Sequence, residues 1–257
     1  MRFSNAIVRI PGANFAQGLT TSGMQSPSVP RALEQHSAYC RALTEAGLKV
    51  TVMPADEEYP DGTFVEDTFI IAERVAIATR PGAMTRRGEV ASVASAMSQF
   101  RRDVEQIVPP GTVDGGDVCQ VGDHFLIGLS ARTNEAGAGQ LAATLARHHY
   151  TSSTIEIRGQ SSLLHLKSGI TYLGDRLFVV APGFPPIAGF ADYDRIEVAP
   201  IEAYAANGVR INDKVFIAAG FPKLAATLAN LGYRTCVLDT SEFAKMDGGL
   251  SCLSLRF

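Results

Sequence analysis

A thiol, an imidazole and several carboxylates are the side chains of this sequence whose chemistry could be joined. Cys252 ends the run Asp247-Gly-Gly-Leu-Ser-Cys252, just inside a glycine-preceded apolar strand. A free cysteine is often an inert core residue. To act as a nucleophile it needs an acid or base, a means of stabilising the thiolate, and a pocket. Of the five histidines, His36 falls on a helix face, His124 sits in a Gly-Asp-His turn, and His148 and His149 end a helix. His165, in Leu163-Leu-His-Leu-Lys-Ser168, stands at a strand start as Cys252 does. The acids are Asp61, Glu66 and Asp67 in one stretch and Asp114 and Asp117 in Asp-Gly-Gly-Asp. One reading of the Asp-Gly acids is a solvated rim of turns. The other is a cationic substrate, because a crowd of carboxylates repels an anionic transition state. A guanidinium is planar, permanently charged and suited to bidentate carboxylate binding. Such a cation would also favour the thiolate by Coulomb attraction.

The elements that must position these residues follow from periodicity and turn signals. Ala6–Ile10 reads as a strand, and residues 14–30 as a long Gly/Ser/Thr/Pro loop, either a lid or a surface loop. A helix over 29–46 carries Leu33, His36, Cys40 and Leu43 on its buried face and is capped by Gly47. Residues 61–71 read as a strand, which sends the neighbours Glu66 and Asp67 to opposite faces. Further helices are expected over 90–100, 135–148 and 222–232, with strands between them. Only irregular chain with Pro182, Pro185 and Pro186 follows the strand pair ending at Ala181. The result is a recurring strand–strand–helix–strand unit. Asp67, Asp117, His165, Asn207 and Cys252 stand near the starts of successive units, spaced 50, 48, 42 and 45 residues apart. Repeats of that length suit an array or a closed ring, in which equivalent positions converge on the axis.

Composition narrows the function classes. A chain of 257 residues that is 46% hydrophobic can bury a sizeable core as one domain, 1–257. A net charge of −3 without a basic block argues against nucleic acid or an anionic membrane as partner. No apolar run reaches a bilayer-spanning length, and the first residues lack the pattern of a signal peptide. Cys40, Cys119, Cys236 and Cys252 form no CxxC pair, which favours neither zinc nor redox chemistry and fits a reducing, cytoplasmic setting.

Seven motifs then occur in order: Phe64-Val-Glu-Asp67, Arg80-Pro-Gly82 with Arg86-Arg87, Asp114-Gly-Gly-Asp117, Ser130-Ala-Arg-Thr-Asn134, His165-Leu-Lys167, Tyr204-Ala-Ala-Asn207 and Asp247-Gly-Gly-Leu-Ser-Cys252. From about Ile10 to Phe257 the chain resembles the dimethylarginine dimethylaminohydrolase family of the guanidino-group-modifying (pentein) superfamily. The resemblance implies a five-bladed α/β propeller of ββαβ repeats.

It also implies roles. Cys252 resembles the nucleophile, His165 the general acid/base, and Asp114 the acid that orients the histidine. Glu66 and Asp117 resemble guanidinium contacts, and Asp67 either joins them or supports the site from behind. Asp61 resembles the contact to the substrate α-amino group, and Leu19 the lid residue. Arg86 and Arg132 resemble the grip on the α-carboxylate, with Arg87 the alternative to Arg86 and plain surface charge the other reading. The implied reaction converts methylated arginine to citrulline and a methylamine through a covalent thiouronium, with no metal or organic cofactor. The partner is a small amino acid, and the chain is a monomer or a homodimer. Arginine or citrulline hydrolysis on the same scaffold, and a non-catalytic amino-acid-binding propeller, are the competing readings.

Overall fold

The computed structural model describes residues 2–160 and 163–257. Five three-stranded sheets stand around a common axis. The first comprises β3 (Phe69–Ile71), β4 (Ala76–Ala78) and β5 (Val104–Gln106). The second comprises β6 (Val118–Val121), β7 (His124–Leu129) and β8 (Thr151–Glu156). The third holds β9 (Ile170–Tyr172), β10 (Leu177–Val180) and β11 (Asp194–Glu197), and the fourth β12 (Val209–Ile211), β13 (Lys214–Ala218) and β14 (Arg234–Leu238). The fifth joins β1 (Asn5–Arg9) and β2 (Lys49–Met53) to β15 (Leu255–Arg256). In every sheet the first strand pairs antiparallel with the second, and the second parallel with the third.

A parallel pair needs a crossover. Helices supply it in four blades: α1 (Val29–Glu45), α2 (Glu89–Met97), α3 (Glu135–Arg147) and α4 (Pro222–Asn230). Between β10 and β11 the chain crosses as irregular loop instead. Proline breaks a helix interior, and Pro182, Pro185 and Pro186 lie here. Phe184, Phe190 and Tyr193 pack there against Phe178 and its neighbours in place of a helix.

The middle strands are apolar on both faces, as strands covered on both sides must be. Phe125 and Ile127 of β7 join a core shared with the first blade, while Leu126 turns to the third. In β13, Val215 and Ile217 face the third blade and Phe216 and Ala218 the fifth. Five such cores, each between neighbouring blades, hold the ring together.

Two expectations on local structure are corrected. The buried face of α1 consists of Ala32, Gln35, His36, Tyr39, Ala42 and Leu43, so Leu33 points outward at 39% exposure. Residues 65–68 form a 3-10 turn rather than strand. The alternation of faces fails there, and Glu66 and Asp67 are both buried.

Each blade's innermost strand is preceded by such a turn: Val65–Thr68, Gly115–Asp117, Leu166–Ser168, Pro200–Ala206 and Ser251–Leu253. The landmark residues sew these turns together. Asp67 accepts the Gly116 N–H at 2.9 Å, Asp117 the Leu166 N–H at 2.9 Å, and Asn207 the Ser251 N–H at 3.1 Å. Buried backbone donors at the hub are thereby satisfied by side chains of the preceding blade.

Candidate active site

The hub turns deliver several chemistry-bearing side chains to one cavity. Its wall includes Leu19, Asp61, Asp67, Arg86, Arg132, His165 and Cys252. All were expected at the site from sequence. Phe64, Leu164, Met246, Asp247 and Gly248 complete it.

His165 caps its turn and is 6% exposed. Its Nε2 lies 3.0 Å from Asp114 Oδ2. The other Asp114 oxygen accepts the Gly82 N–H at 2.8 Å. Gly116 packs so closely on the imidazole that a Cβ there would fall 2.9 Å from Nδ1, so the turn must carry glycine. Burial opposes the imidazolium, but Asp67, Asp117 and Asp114 outweigh it and hold His165 up at about 9. Burial likewise opposes the Asp114 anion, yet His165, Arg86 and the Gly82 N–H keep that carboxyl below its usual range. The pair is therefore ionic at neutral pH.

Cys252 lies in the Ser251–Leu253 turn, not inside a strand, and is half-buried. Burial, reinforced by the charges of Glu66 and Asp67, pushes its thiol up to about 12. At neutral pH Cys252 is therefore a neutral thiol.

Arg86 is spoken for by acids. Its Nη1 donates to Asp67 Oδ2 at 2.6 Å, and its Nε and Nη2 donate to the two oxygens of Glu89 at 2.9 and 2.8 Å. The Phe64 carbonyl takes a further bond from Nη2 at 3.1 Å. Arg132 lines the same cavity half-buried, and its guanidinium donates to no acceptor among the described residues. Arg87 turns away to the Pro81 carbonyl at 3.1 Å. Asp61, 6% exposed, accepts the Leu19 N–H on both oxygens at 3.1 Å. Burial raises its carboxyl above the normal range against the pull of Arg86, the Leu19 N–H and Arg132.

The loop bearing Leu19 is tied down by alcohols. Thr20 and Ser22 hydroxyls donate to the Lys245 carbonyl at 2.8 and 2.7 Å. Asp247 Oδ2 accepts the Thr21 N–H at 2.5 Å and its hydroxyl at 3.0 Å. Asp247 itself sits at φ +58°, a conformation aspartate tolerates better than most residues.

Glu66 and Asp117, expected at the guanidinium, are not brought to this wall. Asp117 is fully buried behind it, accepting Ser130 Oγ at 2.6 Å, Thr133 Oγ1 at 2.7 Å and the Leu166 N–H. Burial raises its carboxyl to about 6 against those bonds and His165. Glu66 turns to the opposite end of the hub and lines a second cavity there. Lys167 Nζ and Arg256 Nη2 both lie 2.7 Å from its Oε1, which holds the side chain away from Cys252's cavity.

Glu89 and Thr21 were not singled out in the sequence, and Asp247 figured there only as the start of the closing motif. An acid three residues after Arg86 was the available signal for Glu89.

A family model described as arginine deiminase matches residues 90–204. The dimethylarginine dimethylaminohydrolase of Pseudomonas aeruginosa is 44% identical, with 99% of this chain and 100% of that protein covered. A solved structure of the Pseudomonas aeruginosa enzyme, a cysteine-to-serine mutant complexed with citrulline, superposes with TM-score 0.96 at 43% identity over 100% of both chains. Another, a histidine-to-glycine dimethylarginine dimethylaminohydrolase carrying an S-methyl-L-thiocitrulline adduct, gives 0.95 at 43% identity over 99% of this chain and 100% of that one. The repeated blades, the hub cavity and full-length similarity agree, and the chain belongs to the dimethylarginine dimethylaminohydrolase family.

Proposed function

We propose that the chain hydrolyses the guanidino group of Nω-methylated arginines, releasing citrulline and methylamine or dimethylamine. The observation that carries this reading is the ionic Asp114–His165 pair at a cavity lined also by Cys252, three further carboxylates (Asp61, Asp67 and Asp247) and an Arg132 guanidinium that donates to no acceptor among the described residues. Family membership and the citrulline and thiocitrulline complexes of its relatives support the same substrate class.

Arg132 takes the substrate α-carboxylate, and Asp61, under Leu19, the α-ammonium. Asp67 faces the guanidinium. Entry of that cation offsets the burial and the acids that hold Cys252 neutral, and the thiol proton leaves to solvent. The thiolate attacks the guanidino carbon, forming the C–S bond and a tetrahedral species. His165, already an imidazolium, gives its proton to the departing nitrogen as the C–N bond breaks. A covalent thiouronium remains on Cys252. Neutral His165 then takes a proton from water, whose oxygen attacks the same carbon and expels the thiolate, leaving the ureido group. Asp114 keeps the ring aligned through both transfers, and Asp117 and Glu66 act from behind the wall, fixing the hub turns. The four cysteines are free thiols, which supports the cytoplasmic setting, and homodimerisation belongs to the same proposal. Sedimentation of the purified chain checks the dimer.

The deciding experiment incubates the protein with monomethylarginine, asymmetric dimethylarginine, arginine and citrulline, and follows citrulline, ornithine and the released amine. Citrulline and methylamine are expected from the methylated substrates. Ammonia from arginine or citrulline with no turnover of methylarginines would overturn the reading.

A further inference from the structure

We propose that Glu89 is a positioning residue for this reaction. By occupying the Nε–Nη2 edge of the Arg86 guanidinium it leaves Asp67 a single bond to that cation, so the Asp67 charge stays directed at His165 and the substrate. The inference rests on the functional reading above.

Arg86, Asp67 and Glu89 form a buried triad, with side chains 7%, 3% and 1% exposed. Glu89 takes Nε and Nη2, the fork that a carboxylate pairs with in parallel bonds. Asp67 takes a single bond, from Nη1 to Oδ2, while its other oxygen accepts the Gly116 N–H. An Arg86 without Glu89 would turn that free fork on Asp67, drawing both oxygens off Gly116 and the cavity. Its cationic charge would also face the site without a counter-ion. Two acids on one guanidinium are costly to bury unless both are needed. The second acid lies outside the cavity wall, where it cannot touch substrate.

The charges bearing on His165 are Asp67 from the turn before β3 and Asp114 and Asp117 from the turn before β6, and Arg86 bears on Asp114. Cys252 lines the same cavity from the closing turn, with Asp61, Arg132 and Asp247 around it. Around Glu89 are Arg86, Asp67, Asp61 and Tyr59, and Arg9 from β1 reaches it through Ser92, whose hydroxyl donates to the Glu89 carbonyl at 3.1 Å. Asp67 is foremost among the carboxylates that keep His165 protonated. Burial raises the Glu89 carboxyl to about 7 against the pull of Arg86, so the counter-ion is complete only above that pH.

The test compares Glu89→Gln and Glu89→Asp with the parent chain. Thermal unfolding confirms that each variant folds. The kcat/KM–pH profile and the imidazole titration of His165, assigned by NMR against His165→Asn, are the readouts. Glu89→Gln is expected to lose about tenfold to a hundredfold in kcat, with KM changed less. Its His165 midpoint is expected to move to lower pH. Glu89→Asp restores the midpoint, because the charge is back, while retaining part of the rate loss. A His165 midpoint in Glu89→Gln equal to the parent's would overturn the inference, whatever happens to the rate. If the parent itself fails to turn over methylated arginines, the functional reading falls, but the NMR midpoints still decide the role of Glu89.

Discussion

His165 Nε2 and Asp114 Oδ2 stand 3.0 Å apart, and the second Asp114 oxygen is fixed by the Gly82 N–H, so neither ring nor carboxylate is free to rotate. Asp114→Asn keeps the shape and removes the charge. The alkaline limb of kcat/KM should move to lower pH, and kcat should fall by about 10²-fold or more. The pair also links stability to pH. His165 is raised from 6.5 to about 9 on folding, so its contribution is complete below 6.5 and disappears as pH rises through about 9. Chemical denaturation of the parent between pH 6 and 10 should show that loss, and Asp114→Asn should flatten it.

Cys252 is neutral until a cation arrives. At pH 7 a cationic amidinium alkylator should therefore modify it at least about tenfold faster than neutral iodoacetamide, since a charge a few ångströms away is worth several kcal/mol in a partly buried site. Peptide mapping by mass spectrometry reads the site of modification. Equal rates for the two reagents would contradict activation by the substrate's charge. Cys252→Ser should show neither labelling nor turnover.

The two arginines at the cavity should behave differently. Arg132 donates to nothing among the described residues, so Arg132→Ala should raise KM by about 10- to 100-fold, the loss of one charged hydrogen-bonding group, with kcat and thermal stability close to the parent's. Arg86→Ala strands Asp67 and Glu89 as buried carboxylates and should cost about 3–5 kcal/mol of stability. Urea unfolding separates the two cases. An Arg86→Ala protein as stable as the parent would mean that the triad is not what holds this wall.

The loop carrying Leu19 should open when its latch is removed. Asp247→Gly deletes the acceptor of both Thr21 bonds and places at φ +58° the residue best suited to it, so backbone strain does not confuse the result. Faster proteolysis within residues 18–24 and a few-fold higher KM are expected. Limited proteolysis with and without citrulline would read it. Unchanged cleavage would assign closure to the Lys245 carbonyl and the Asp61–Leu19 bonds alone.

The blade repeat was legible in the sequence because its markers are polar residues in apolar surroundings: Asp67, Asp117, Asn207 and Cys252 each stand out at the hub, where one turn must hydrogen-bond the next. The direction of Glu66 was not legible. Phe64-Val-Glu-Asp-Thr-Phe-Ile-Ile71 has the composition of a strand, and only a 3-10 turn puts both acids inside. Lys167 and Arg256, which then pull Glu66 away from the thiol, lie 101 and 190 residues downstream. Asp117 misled for a related reason. Its chemistry suits a cation, but Ser130 and Thr133 saturate it first. Leu33 on α1 shows the same limit on a helix, where a three-four spacing fits two neighbouring stripes and tertiary packing chose the one with Tyr39.

The raised thiol of Cys252 has a consequence for survival under oxidative stress. Peroxide reacts with the thiolate, scarcely with the thiol. With Cys40 and Cys119 held up at about 11 and Cys252 at about 12, these sulfurs present little of the oxidisable form at rest. On the proposed mechanism the Cys252 thiolate forms only while a cationic guest occupies the cavity, so the oxidisable form and the substrate are present together. Arming by the cargo thus ties oxidation to turnover: inactivation by peroxide should depend on whether the enzyme is working, not merely on whether it is present.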